Sequence, residues 1–287
     1  QEGEQHPLLK MLLAKIPGKK FFPDSYEGLA AETSEKDILQ ARATYYGLMT
    51  EIDHHLGRVI SYLKKSGQYE STLIVFTSDH GEQLGDHYLF GKAGYFDASY
   101  AIPLIIHNPE ITDSTSGKST AAGNQVEVFT EAIDVMPTIL DWLDLEIPQE
   151  LDGRSLLPLL KGNVPDNWRK EAHWEFDFRE IGTYQPMIEQ QFGLSPDQCS
   201  LTVIRDERYK YVHMTALPPL LFDLQEDPEE FINRAEDPDY RHLVLEYSQK
   251  MLSWSMLHRD RTLVNINLES GKLIHWKGQR ILTKPEA

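Results

Sequence analysis

An acid, an imidazole and a lysine stand close together in residues 72–109, TLIVFTSDHGEQLGDHYLFGKAGYFDASYAIPLIIHNP. Asp79 offers a hard oxygen and His80 a borderline nitrogen, a pair suited to Mn²⁺, Zn²⁺ or Mg²⁺ and less well to Ca²⁺. Two donors do not complete a site, because about four to six are usual. Side chains that follow one another in a strand point to opposite faces, so Asp79 and His80 reach one ion only if the backbone turns. Gly81 makes that turn possible through its tolerance of positive φ. Lys92 follows between Gly91 and Gly94, a point charge suited to an anionic tetrahedral oxygen. A divalent ion and a lysine together stabilise the charge of a phosphoryl- or sulfuryl-transfer transition state. A turn with an Asp cap and a surface histidine would use the same residues. The apolar strand before them and the lysine after them favour the chemical reading.

The elements that must position these groups are legible on either side. Leu73 to Thr77 and Ile102 to Ile106 are short apolar runs, expected as buried strands of a parallel sheet with the chemistry at their carboxyl ends. Before them, Ser34 followed by Asp37 resembles a helix N-cap with an acid at the third position. Ile38, Tyr45, Leu48, Ile52, Leu56, Val59 and Leu63 then recur at steps of three, four and seven, one helical face. Lys64 and Lys65 suit the helix end and Gly67 its cap. This helix is expected to cover the sheet. His54 and His55 are neighbours on it, about 100° apart, and so do not chelate as an i, i+4 pair would.

Composition narrows the class. The 287 residues are 40% hydrophobic and 25% charged, ordinary for a globular chain of one large domain or one plus a small one. The formal net charge of −17 comes with no basic run, which argues against nucleic acid as a partner. No apolar run approaches the ~18 residues of a membrane span, and no basic-then-apolar leader opens the chain. The chain starts at Gln1 rather than Met, which suggests a piece of something longer. Its single cysteine, Cys199, forbids an intrachain disulfide and suits a reducing, cytoplasmic compartment. Cys199 reads as a small buried residue rather than a reactive thiol.

Elsewhere, Leu8 to Ile16 reads as a short helix, Lys19 to Thr33 and Thr112 to Gly123 as loops, Val126 to Phe129 as a possible strand, and Glu131 to Leu143 as a helix. After about residue 165 the character changes. Ala172 to Phe178 alternates with period two, with Glu175 and Asp177 on a solvated face. Leu201 to Arg205 and Tyr209 to His213 flank a hairpin turn, Leu220 to Leu224 is a further strand, and Asp239 to Leu257 a helix. The expectation is an α/β fold with a largely parallel sheet flanked by helices (1–165), a smaller antiparallel α+β unit (166–260), and a tail (261–287) without clear period. Ile274 and Trp276 in that tail suit docking on a neighbouring subunit.

The stretch FTSDHGEQLGDHYLFGKAGYFDASYAIPLII resembles the signature of the sulfatase branch of the alkaline phosphatase superfamily, nearest to the phosphonate monoester hydrolases. HPLLK, RATYYGLMTEIDHHLGRVISYL, IDVMPTILDWL, DGRSLLPLL, HWEFDFR, RDERYKYVHMTALPPLLFDL and DPEEFINRAEDP resemble family segments in the same order, so the likeness runs through nearly the whole chain. It implies an alkaline-phosphatase-like sandwich, with Asp79 and His80 as ligands of one divalent ion (Mn²⁺ favoured). Lys92 would contact a non-bridging oxygen of a small anionic ester. Gly81 and Gly91 would shape the loop, and His87 matches a family position without a direct role. It also implies a homo-oligomer, often a tetramer.

The family's nucleophile, a formylglycine made from Cys or Ser in a Cys/Ser-x-Pro-Ser-Arg motif, has no counterpart here. The chain is therefore expected to be the C-terminal half to two-thirds of such an enzyme, inactive alone. Ala101 stands where relatives usually carry arginine. The implied activity is hydrolysis of phosphonate monoesters, phosphodiesters or sulfate esters. The alternatives are an arylsulfatase or choline-sulfatase of the same branch, or a non-catalytic assembly or binding module.

Overall fold

The structure, a computed structural model, describes residues 6–15, 32–92, 94–111, 123–148, 150–179, 187–258, 266–269 and 272–275. Most of both expected loops, and Trp276, lie outside these residues. The element order is α1 (Pro7–Lys15), α2 (Glu35–Lys65), β1 (Ile74–Thr77), α3 (Asp97–Tyr100), β2 (Leu104–His107), α4 (Val135–Trp142), α5 (Leu157–Leu160), β3 (Ala172–Asp177), α6 (Met187–Phe192), β4 (Ser200–Arg205), β5 (Tyr209–Met214), β6 (Leu220–Asp223), α7 (Arg241–Leu257), β7 (Ile266–Glu269) and β8 (Lys272–His275). The chain divides into two compact units. One comprises Gln1–Thr130 and Pro158–Val244, the other Glu131–Leu157 and Leu245–Ala287.

In the first unit, β3, β4, β5 and β6 form an antiparallel sheet in sequential order. The alternation read from sequence sets its faces: Glu175 and Asp177 are exposed, Trp174 and Phe176 partly covered, and Phe178 buried. The β4–β5 hairpin turns where Asp206 accepts hydrogen bonds from the amides of Arg208 (2.9 Å) and Tyr209 (2.8 Å), a side chain standing in for a backbone turn. Leu201, Val203, Val212, Met214, Leu220 and Phe222 join Leu8, Leu9 and Met11 of α1 in one core. His6 starts α1. Its Nδ1 accepts from the Leu8 amide (3.2 Å), so its Nε2 donates to the Pro218 carbonyl (2.9 Å). Burial lowers its pKa, consistent with a neutral ring in that tautomer.

Helix α2 begins as its sequence indicates. Ser34 Oγ accepts from the Asp37 amide (3.2 Å) and donates to its carboxylate (2.7 Å). It ends in a Schellman motif: Gln68 N bonds Leu63 O, Gly67 N bonds Lys64 O, and Gly67 takes φ +72°. The expectation that α2 covers a sheet is not met, because none of its residues is buried. A helix of 31 residues is about 46 Å long, whereas strands β1 and β2 have four residues each.

The parallel pairing expected of the two apolar runs is also corrected. β1 and β2 pair antiparallel, Ile74 opposite His107 and Thr77 opposite Leu104, and every paired strand among the described residues is antiparallel. A parallel pair needs a crossover that carries the chain back along the sheet, and among the described residues the β1–β2 connection contains the single turn α3 and one 3₁₀ turn. The pair is only half-buried, with Ile105 63% exposed. Val126 to Phe129 forms no strand; the Phe129 carbonyl instead accepts from the Trp168 indole (2.8 Å).

In the second unit, Glu131 and Asp134 form a capping box ahead of α4. Buried Asp134 also accepts the Arg154 amide (2.7 Å), and Thr138 Oγ1 accepts the Leu156 amide (2.8 Å). Gly153 is required here, since a Cβ on it would lie 2.0 Å from the Ile133 carbonyl oxygen. Tyr247 and Met251 of α7, four residues apart and so on one side of the helix, are buried. The tail, expected to lack period, contains the antiparallel pair β7–β8. Its Ile-Asn-Leu-Glu alternation is a period-two signal of only four residues.

Candidate functional site

Strand β1 leads directly into the turn that carries Asp79 and His80. Asp79 Oδ1 accepts the His80 amide (3.0 Å), and Asp79 Oδ2 lies 3.7 Å from His80 Nε2. His80 Nδ1 is 2.7 Å from the Gly81 carbonyl oxygen. A carbonyl only accepts, so the ring proton sits on Nδ1 and the lone pair on Nε2. A histidine tied to a carbonyl through one nitrogen is oriented to ligate through the other. The Asp79 side chain is 83% exposed and that of His80 33%, so both donors are reachable. The pair fits a divalent ion as two of its ligands. No third His, Cys, Asp or Glu completes a cluster among the described residues.

Gly81 is needed, though not for the reason expected. Its φ is not positive. A Cβ on Gly81 would lie 2.1 Å from the Ala98 carbonyl oxygen, so close approach to α3 demands glycine, and Gly81 N donates to Ser99 O (2.8 Å). The loop that follows folds back on itself. Gln83 N donates to Gly91 O (3.1 Å), and Glu82 Oε1 accepts from Gly91 N (2.6 Å) and Leu84 N (3.1 Å). Gln83 is buried and its amide donates to Ser99 Oγ (2.8 Å). Lys92, exposed, therefore starts from a residue hydrogen-bonded to the turn after His80. Gly91 (φ +73°) and Gly94 (φ +75°) bracket it in left-handed conformations that glycine adopts without cost.

The loop also holds non-glycine residues in that region: Leu84 (φ 49°), His87 (φ 52°) and Tyr88 (φ 56°). Each costs about 1–2 kcal/mol, and surrounding contacts must hold them. Arg42 of α2 supplies two, donating to Leu84 O (2.9 Å) and Asp86 (2.6 Å). His87 stacks on Phe96 at 3.8 Å between centroids. Burial drives its pKa down to about 4, against the upward pull of Asp86 and Asp227 and with a smaller downward push from Lys210.

Beyond Lys92 the chain is fastened to β5. Lys210, fully buried, donates to the Tyr95 carbonyl (3.0 Å) and Asp97 (2.9 Å) and also pairs with Glu230. Burial lowers its pKa to about 8, partly opposed by Asp97. Glu230 Oε2 accepts the Asp97 amide (2.9 Å), and Arg205 pairs with Asp97 (3.1 Å). Sequence reasoning missed Glu82, Lys210 and Glu230. A signal existed for Lys210, which shares a strand face with Val212 and Met214 by period two.

The remaining candidates make other contacts. His54 and His55 lie on exposed α2, with His55 beside Glu51 (3.7 Å) and Arg58 (3.1 Å). Cys199 is fully buried. Ala101 closes α3, its amide donating to Asp97 O (2.7 Å).

Comparison with known proteins agrees with the motif. The sulfatase family model matches residues 16–145, and the model described as N-sulphoglucosamine sulphohydrolase, C-terminal, matches residues 85–256. A multifunctional alkaline phosphatase superfamily protein, PehA of Trinickia caryophylli, is 54% identical over 92% of this chain and 49% of its own length. An arylsulfatase of Clostridium perfringens is 30% identical over 76% of this chain and 40% of its own. The crystal structure of the phosphonate monoester hydrolase of Agrobacterium radiobacter superposes with a TM-score of 0.84 at 44% identity, covering 96% of this chain and 52% of that one. The chain thus spans between two-fifths and about half of the length of these relatives. With its α/β fold and its Asp-His-Gly loop, it belongs to the sulfatase family of the alkaline phosphatase superfamily, alongside the phosphonate monoester hydrolases.

Proposed function

We propose that this chain supplies the metal-binding and charge-neutralising side of a hydrolase for phosphonate monoesters, phosphodiesters or sulfate esters. Asp79 and His80 would hold one divalent ion, Mn²⁺ in first place, and Lys92 would meet a non-bridging oxygen of the ester. The carrying observation is the donor pair at the end of β1: Asp79 Oδ2 and His80 Nε2 lie 3.7 Å apart, both reachable. When bound, the ion supplies Lewis-acid activation and charge stabilisation. His80 keeps its proton on Nδ1 throughout, leaving Nε2 free to ligate. Lys92 neutralises charge that builds on the transferred group.

The nucleophile, a formylglycine by family resemblance, belongs to a polypeptide region outside these 287 residues. Leu48, Ile52 and Val59 on one face of α2, and Ile105 of β2, leave apolar surface in water. Exposed apolar side chains on one helix face suit an interaction site, and the half of the relatives that this chain does not span is the occupant we assign to it.

The test is kcat/KM for an aryl phosphonate monoester, an aryl phosphodiester and an aryl sulfate, measured on the chain joined to that remaining half, with and without chelator. Turnover of the phosphorus esters is expected, abolished by chelation, with none from the 287 residues alone. Hydrolysis of sulfate esters only would overturn the phosphonate assignment. Chelator-resistant turnover would remove the role given to Asp79 and His80, and activity of the isolated chain would place the nucleophile within it.

A further inference from the structure

We propose that Glu82 is a positioning residue for Lys92, holding the lysine in register with the Asp79–His80 pair. This rests on the functional reading above for what Lys92 does, and on geometry alone for how it is held. Glu82 stands two residues after His80, and Lys92 directly follows Gly91. One carboxylate oxygen, Glu82 Oε1, accepts from the Gly91 amide at 2.6 Å and the Leu84 amide at 3.1 Å. Beside it the Gln83 amide donates to the Gly91 carbonyl at 3.1 Å. Residues 82–91 therefore form a loop closed at its base, and the closing residue adjoins Lys92.

Two features show that the loop needs such a clasp. Leu84, His87 and Tyr88 hold positive φ without being glycine, so an opened loop would relax away from this shape. Gly91 and Gly94 flank Lys92 with left-handed backbones, and glycines offer little stiffness of their own. The far end is fixed separately, by Lys210 on the Tyr95 carbonyl and Glu230 on the Asp97 amide. Lys92 thus sits on a short span held at both ends, and Glu82 is the end that also carries the metal-side residues. A charged acceptor of two backbone amides is a strong tie, and misplacement of a catalytic group by about 1 Å can cost ~100-fold in rate.

The test is hydrogen exchange on the 287-residue chain and its Glu82→Ala and Glu82→Gln variants, with tryptic cleavage after Lys92 as a second reporter. Glu82→Ala is expected to raise exchange across residues 83–92 and cleavage after Lys92 by ~10-fold or more, while β4 and β5 exchange as in the wild type. Glu82→Gln keeps an acceptor oxygen in the same place and is expected to stay within ~3-fold of wild type. Wild-type exchange in Glu82→Ala, an equal rise in β4 and β5, or a glutamine variant as open as the alanine one would each overturn the proposal. None of these readouts depends on hydrolysis, so failure of the ester assays would remove the functional reading and leave the clasp standing.

Discussion

The β3–β6 sheet and the α2 helix carry comparable apolar faces, and the chain treats them differently. In the sheet, Leu201, Val203, Val212 and Leu220 are closed over by α1. In α2, Leu48, Ile52 and Val59 of that helix's apolar face stay exposed. Its first turns meet the candidate loop, through Arg42 and through Ile38, which abuts Gly85. Periodicity alone therefore says that a face is apolar, not that this chain contains what covers it. The candidate site lies between the two regimes: its Lys92 loop is tied to the finished sheet through Lys210, while its Asp79–His80 turn extends from the unfinished β1–β2 pair.

The largest expected effect breaks the finished side. Lys210→Met leaves Asp97 and Glu230 facing each other without their buried cation, and should cost about 3–5 kcal/mol in urea unfolding. A loss under about 1 kcal/mol would show that the buried pairs do not hold the sheet to the loop. Next, Gly81→Ala forces a Cβ against the Ala98 carbonyl and should cost about 1–3 kcal/mol, read by thermal unfolding. Wild-type stability there would mean that α3 moves aside freely.

A smaller effect follows from His87, whose folded pKa of about 4 lies below its ordinary value of 6.5. Between those values the unfolded chain binds the proton and the folded chain does not, so stability is complete above about pH 6.5 and falls as pH drops towards 4. The ring is only half-buried, which keeps the loss to about 1–2 kcal/mol. His87→Gln should flatten this part of the pH–stability curve, and an unchanged slope would exclude His87 as its source. Smallest of all, Ile52→Gln on α2 should change the stability of this chain by less than about 0.5 kcal/mol. A larger loss would mean that the α2 face is already packed and would erase the contrast between the two regions.

Much of the local structure was legible because local rules decide it. Ser34 with Asp37 announced the start of α2 and Gly67 its end, the runs 201–205 and 209–213 the hairpin, and alternation the exposed face of β3. Strand direction was not legible: an apolar run such as Leu73 to Phe76 reads the same whichever way its neighbour runs. Nor was the reason for Gly81, since a turn and a close approach both call for glycine. Period two could place Lys210 on the core face, but its partners, like those of Glu230, were hidden because they depend on Asp97, more than a hundred residues away in sequence from either.

By itself the sequence determined the caps, the helical and strand periods, the kinship to sulfatases, and the chemical types available at Asp79, His80 and Lys92. These depend on side-chain chemistry and short-range spacing. The tertiary structure alone decided that β1 and β2 run antiparallel, that α2 finds no cover among the described residues, and that Glu82 and Lys210 fasten the two ends of the Lys92 span. Those outcomes depend on which distant groups meet, and burial makes the meeting of a lysine with two carboxylates strong where spacing in the chain gives no sign of it.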